Sequence, residues 1–200
     1  IAAYMHDIGK VTSPVEIVEK AKKLQTIFDR IDYVRLRMAY IRQKIMLDAQ
    51  NTKIENLKNG TESESLEEYD KKTQAKLDEI NEIVDFINKC NEPGEFLEDE
   101  ALDRLKEISK MTYIDDSDEE QPFLTPDELV NLSIRRGSIT EKERGKMQDH
   151  AAVTLRMLKQ IPFTKKLKNI PDFAGAHHEF INGKAILWDS KVMKFRLKGG

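Results

Sequence analysis

The 200 residues are enough for one domain, or for a core with a sizeable appendage. Charged residues make up 34% of the chain and hydrophobic residues 39%, against roughly 25% and 45–50% in an ordinary globular domain, so long solvent-facing helices are expected rather than a thick core. Thirty-three bases nearly balance 36 acids, for a net charge of −3, which excludes a globally basic nucleic-acid binder and speaks against a polyanionic tail.

No apolar run approaches the roughly 18–20 residues of a membrane span, so no membrane segment is expected. The single cysteine, Cys90, excludes an intrachain disulfide framework and fits a reducing compartment. No signal peptide is visible, and the expected location is cytoplasmic. The chain opens at Ile1 inside a helix pattern and reads as a fragment or a processed piece.

Ala2 to Lys10 reads as the end of a buried helix stopped by Gly9. Ser13-Pro14-Val15-Glu16 carries a helix-start signature, but Lys20-Ala21-Lys22-Lys23 has no apolar stripe and keeps that helix short. From Ile27 a heptad-type seam runs through Ile31, Val34, Met38, Ile41 and Ile45, flanked by charges. Asn59 to Ser63 breaks it as a loop. A second helix follows with Tyr69, Thr73, Leu77, Ile80, Val84 and Ile87 on one face, ending near Pro93-Gly94. Two helices of similar length joined by a polar turn predict an antiparallel hairpin.

A shorter helix is predicted over Glu98 to Lys110. The acidic run Asp115 to Glu120 lacks the Gly and distal Glu of an EF-hand loop and reads as a solvated loop. Thr125-Pro126-Asp127-Glu128 starts the next helix, which Arg135-Arg136-Gly137 ends. Thr140-Glu141-Lys142-Glu143 opens another, which carries Met147, His150, Val153 and Leu158 and stops at Ile161-Pro162. A last helix begins around Ile170-Pro171 and runs on through His177, His178 and Glu179. No stretch alternates with period two for long enough to be a strand, so the chain reads as all-α.

The four histidines are the informative feature. His6-Asp7, His150 and His177-His178 each lie on a helix beside apolar or small residues. Imidazole and carboxylate suit Mn, Fe, Zn or Ni, and no cysteine cluster competes for a softer metal. A lone half-buried histidine on a helix is ordinarily structural; three separated histidine segments on one all-α chain point to a metal site. Adjacent helical residues point about 100° apart, so each pair serves two neighbouring metals more readily than one. Such a metal pair binds a phosphate and lowers the pKa of a bridging water. Lys10 lies one turn beyond Asp7, where it can neutralise a phosphoryl oxygen.

His6-Asp7-Ile8-Gly9-Lys10 resembles the signature of the HD superfamily of metal-dependent phosphohydrolases. Arg136 to Glu143, His150, His177-His178-Glu179 and Asn182-Gly183-Lys184 resemble the HD-GYP subfamily, bacterial enzymes that hydrolyse cyclic di-GMP at a site with two or three metals. The middle, Lys22 through Leu97, is similar to a helical insertion of one HD-GYP branch. The resemblance implies an all-α HD-domain helical bundle, incomplete at both ends, with an inserted antiparallel hairpin. It divides the chain into the start of the HD-type domain (1–25), the insertion (26–124), the continuation (125–184) and an aberrant tail (185–200). It implies His6, Asp7, His150, His177 and His178 as ligands of divalent transition metals such as Fe, Mn or Zn. Asp7 and Lys10 would carry the chemistry, Lys10 at the phosphate, with Glu179 in support of the ligands. A metal-activated water would attack the phosphodiester.

The family also has a ligand on a helix before the His-Asp motif and an Asp ligand on a helix after Gly-Tyr-Pro, and neither is in this sequence. After Lys184, where Gly-Tyr-Pro is expected, the chain reads Ala185-Ile186-Leu187-Trp188-Asp189. Back-translated as GCT ATC CTT TGG GAC and read one base earlier with a G supplied, this becomes GGC TAT CCT TTG GGA, or Gly-Tyr-Pro-Leu-Gly. The tail 185–200 therefore reads as a shifted frame, with a divergent C-terminus as the alternative. This chain is expected to have reduced or no activity. The competing readings are an HD phosphohydrolase acting on another nucleotide, and a catalytically silent signalling module that assembles through the hairpin as a homodimer. The expected substrate is a cyclic dinucleotide, with no DNA or RNA partner.

Overall fold

The structure, a computed structural model, describes residues 1–59, 66–94 and 96–175. The chain divides into two compact units. One spans Lys20–Thr140; the other holds Ile1–Glu19 and the described residues from Glu141 onward. Both are mainly helical, as expected.

In the unit 20–140, the chain first runs as a loop rather than continuing the early helix. Asn91 holds this loop: its side-chain oxygen accepts from Leu24 N–H at 2.8 Å, and its backbone carbonyl accepts from Lys23 N–H at 3.1 Å. Its amide donates in turn to Asp29 at 3.0 Å. Lys20 and Lys23 are buried here. Lys20 Nζ donates to Asn131 Oδ1 at 2.9 Å and Lys23 Nζ to Leu132 O at 3.3 Å. Burial pushes the Lys23 ammonium below its ordinary pKa.

The first long helix, α3 (Ile31–Asn59), follows two short ones in the other unit, α1 (Ala2–Met5) and α2 (Val15–Val18). It starts four residues later than its apolar spacing predicts. The Asp29 carboxylate accepts from Ile31 N–H at 3.1 Å and fixes that start, which leaves Ile27 outside the helix and exposed. α4 (Leu66–Asn91) packs along α3 and runs antiparallel to it. Arg35 binds Asn88 near one end of the pair, and Lys53 pairs with Asp70 near the other. Val34, Met38 and Ile41 meet Ile80, Ile83 and Ile87 in the seam, so the predicted hairpin and most of its seam are present. Cys90, buried on the last turn of α4, belongs to the same core. Burial pushes its thiol pKa up, against the nearby Lys23 and Arg104 charges.

α5 (Asp99–Lys110) adds Leu105 and Ile108 to this core. A two-stranded antiparallel hairpin follows, β1 (Thr112–Ile114) and β2 (Glu120–Pro122), with Tyr113 opposite Gln121. The chain is therefore not wholly α as expected: three-residue strands are too short to show a period-two alternation. The acidic run forms their turn. One Asp115 oxygen accepts from Ser117 and Glu119 N–H at 2.8 and 3.0 Å, an Asx-type turn.

α6 (Pro126–Leu132) starts with the predicted capping box between Thr125 and Glu128. It ends at Leu132, short of the predicted Arg135-Arg136-Gly137 stop; Gly137 instead takes φ +81° beyond the helix. The Glu128 carboxylate is also gripped by Arg37 at 2.8 and 3.1 Å, and Arg37 further donates to Phe123 O at 2.9 Å. Arg37 is therefore a tie between α3 and α6, not one more charge on a solvated helix face.

In the other unit, α1 and α2 are separated by a 3-10 turn over Ile8–Thr12. α1 is not the buried helix expected, since none of its residues is buried. Ser13 does not cap α2; Pro14 stands at the cap with no side-chain bond. The long helix of this unit, α7 (Glu141–Leu158), packs against the 3-10 turn and against α8 (Ile170–Gly175).

Candidate metal centre

The site forms where the 3-10 turn meets α7 inside the smaller unit. Gly9 sets the approach. A Cβ at this position would lie 2.1 Å from His150 O and 2.7 Å from both Thr154 N and Thr154 Oγ1. Only a hydrogen fits there, so the turn can touch the α7 backbone. Gly9 thus serves close packing rather than a helix stop. Thr154, fully buried, bolts the contact from both sides. Its hydroxyl accepts from Gly9 N–H at 2.9 Å and donates to His6 O at 3.0 Å. Sequence reasoning missed Thr154; its one signal was the four-residue step from His150, which places both on one face of α7.

This packing brings together three of the expected ligands. Asp7 Oδ2 lies 3.1 Å from His6 Nε2, and Asp7 Oδ1 lies 3.3 Å from His150 Nε2. Lys10 Nζ closes on Asp7 Oδ2 at 2.7 Å. His150 is 3% exposed, whereas His6, Asp7 and Lys10 are half-exposed, so the cluster runs from the core to solvent. Partial burial acts to raise the Asp7 carboxyl pKa. The Lys10 hydrogen bond and charge, helped by His6 and His150, outweigh it, and the carboxyl lies below its ordinary value.

The two imidazoles are oriented by the same device. His6 Nδ1 meets Ala3 O at 2.7 Å, and His150 Nδ1 meets Met147 O, each three residues back along the chain. A carbonyl oxygen can only accept, so both Nδ1 atoms carry the proton and a neutral ring keeps its lone pair on Nε2. Both Nε2 atoms face the Asp7 carboxylate. The Lys10 ammonium shares that carboxylate, so the cluster joins two imidazoles, one carboxylate and one cation. Ligand atoms about 2.1 Å from one ion stand about 3.0 Å apart at an octahedral right angle and about 3.4 Å in a tetrahedron, and the observed 3.1 and 3.3 Å fall between. Imidazole nitrogens and a carboxylate are donor types that suit a divalent ion. Among the described residues, no group of three or more His, Cys, Asp or Glu side chains is arranged to hold a metal ion. His177, His178 and Glu179 lie outside the described residues, as does the tail 185–200 with its frame-shift reading.

No curated protein and no solved structure is matched by the chain. The family model of the HD domain matches residues 123–186. That stretch includes α6, α7, α8 and His150 and leaves out His6, Asp7 and Lys10. No described helix is long and apolar enough to cross a membrane. The match supports, for this part of the chain, a place in the HD-domain superfamily, whose members are in general metal-dependent phosphohydrolases.

Proposed function

We propose that this chain carries the metal-binding core of a phosphohydrolase of the HD-GYP type, and that its substrate is a cyclic dinucleotide such as cyclic di-GMP. The observation that supports this reading is the Asp7 carboxylate between His6 and His150, two histidines far apart in sequence with their Nδ1 atoms tied to backbone. His6, Asp7 and His150 would hold divalent ions of the Fe, Mn or Zn kind, with His177 and His178 completing the set. When bound, the ions supply Lewis acidity toward a phosphoryl oxygen and toward water. Lys10 keeps Asp7 ionised and oriented, and its ammonium can meet an anionic phosphate oxygen. Thr154 and Gly9 hold the turn that carries Asp7 against α7. In this reading residues 26–124 are an insertion between two parts of the HD-type domain, 1–25 and 125–184.

The test is metal uptake by the purified chain, read by elemental analysis after dialysis against Mn(II), Fe(II) or Zn(II). Uptake that falls at least tenfold in both Asp7→Asn and His150→Ala supports the site; uptake equal to wild type in both variants overturns it. Turnover is scored separately on cyclic di-GMP, a linear dinucleotide and a nucleoside triphosphate. Hydrolysis of the triphosphate but not of cyclic di-GMP would move the enzyme to another nucleotide.

A further inference from the structure

α3 carries two apolar stripes. One faces α4 and is buried. The other lies roughly 150° round the helix and is open to solvent. Tyr33, Leu36, Tyr40, Leu47, Ile54 and Leu57 compose it, and each is 36–70% exposed. Their positions alternate steps of three and four if Gln43 and Gln50 are included. These are the a and d positions of a heptad repeat over 25 residues, about 36 Å of helix. The edge of the stripe is widened by Met46, also exposed. At Tyr40 its ring leans on Tyr113 of β1, with centroids 5.8 Å apart. Tyr33 meets the Phe28 ring edge-on, with centroids 5.3 Å apart, and Leu36, Leu47, Ile54 and Leu57 stay open to solvent.

We propose that this stripe is the contact surface for a second copy of the chain, with the two α3 helices side by side and parallel about a two-fold axis. A heptad stripe pairs with a helix of the same period, because only then do its side chains stay in the seam as the helices supercoil. A second α3 has that period by construction, and two-fold pairs are the commonest assembly. The area is sufficient. Eight seam positions at about 100 Å² each give about 800 Å² per chain, the size of a specific interface. The glutamines fix the direction. Side by side and parallel, Gln43 meets Gln43 and Gln50 meets Gln50, so each amide finds an amide, while every other layer is apolar. The antiparallel arrangement sets Gln43 against Leu47 and leaves a buried amide without a partner. Lys53, which would come near Lys58 of the second copy, is already neutralised by Asp70. This inference does not depend on the metal reading, because all its residues belong to the unit 20–140 and the His6–Asp7–His150 cluster to the other.

Sedimentation equilibrium on the whole chain tests it, with Leu47→Glu, Ile54→Glu and, as a control away from the stripe, Arg42→Glu. The expected result is a dimer for wild type and Arg42→Glu. The two stripe variants are expected to dissociate at least 100-fold more readily with unchanged far-ultraviolet circular dichroism. Should a stripe variant fail to fold, a cysteine pair decides: Gln50→Cys in an otherwise native chain forms an interchain disulfide on mild oxidation. A wild-type chain that is monomeric at about 100 µM, or a Leu47→Glu dimer as tight as wild type, overturns the proposal. Cross-linking only in the double variant Tyr40→Cys, Gln50→Cys, and not in Gln50→Cys alone, overturns the parallel direction.

Discussion

The Gly9–Thr154 contact is the point at which one atom decides the site. Gly9→Ala places a methyl group against backbone atoms of α7 that cannot move aside. The expected cost is about 1–3 kcal/mol of stability, as for overpacking elsewhere, together with loss of metal uptake as Asp7 is lifted from His150. Thermal melts and metal analysis of that single variant check both. The Gly9 position itself was legible in the sequence, as part of the His-Asp-x-Gly pattern, but its reason was not. A glycine after a short helix looks like a stop signal. That it is a close approach depends on a helix more than 130 residues away, which no local pattern encodes. The same holds for His150. Its type and its helix were readable, whereas its three-residue tether to Met147 and its distance from Asp7 are products of packing.

At the level of elements, the Arg37–Glu128 pair ties α3 to α6 and gives this unit a pH dependence. Burial works to raise the Glu128 carboxyl pKa. Arg37 and the Thr125 N–H outweigh it and hold the carboxyl below its ordinary value. A depressed carboxyl stabilises the fold above its unfolded-state pKa, and the stabilisation is lost as pH falls through the lower folded-state value. Glu128→Gln is therefore expected to cost about 1–3 kcal/mol at pH 7 and to lose less than wild type between pH 5 and pH 3. Urea titrations at both ends of that range measure the difference. The capping box around Glu128 was plain in the sequence; its partner on α3 was not, because an arginine in a charged helix looks like any other. α3 was also read only halfway. With apolar residues on two nearly opposite faces, it has far less net amphipathic bias than α4. Gln43 and Gln50 interrupt the second stripe and mask its period.

Over the whole molecule, the division into two compact units separates the metal cluster from the hairpin core. A ligand stabilises only the structure that holds it, by about 2.7 kcal/mol at one hundred times its dissociation constant. Calorimetry with saturating Mn(II) is expected to raise the transition that Gly9→Ala lowers and to leave in place the one that Glu128→Gln lowers. A metal-induced rise of the second transition alone would place the ion elsewhere. The helical class and the hairpin were legible at this scale because they rest on periodicity and residue type, whereas His6 and Asp7 stand in the turn after α1 rather than on the helix expected. The grouping of α6 with the hairpin was not, since it rests on Phe123, Leu124 and Leu132 entering the hairpin core.

The chain's only cysteine, Cys90, is 5% exposed at the end of α4, beside Lys23 and the Asn91 bonds that hold the loop. Its thiol is both shielded and held in the unreactive, protonated form. It is therefore a built-in clock for the opening of this unit. A thiol reagent added in excess to the folded protein can modify it only while the base of the hairpin is apart. The labelling rate, divided by that of the unfolded chain, gives the population of the opened state directly. Asn91→Ala, which removes the side-chain bonds to Leu24 and Asp29, is expected to raise that rate at least tenfold, and an unchanged rate would mean that the loop is held by other contacts.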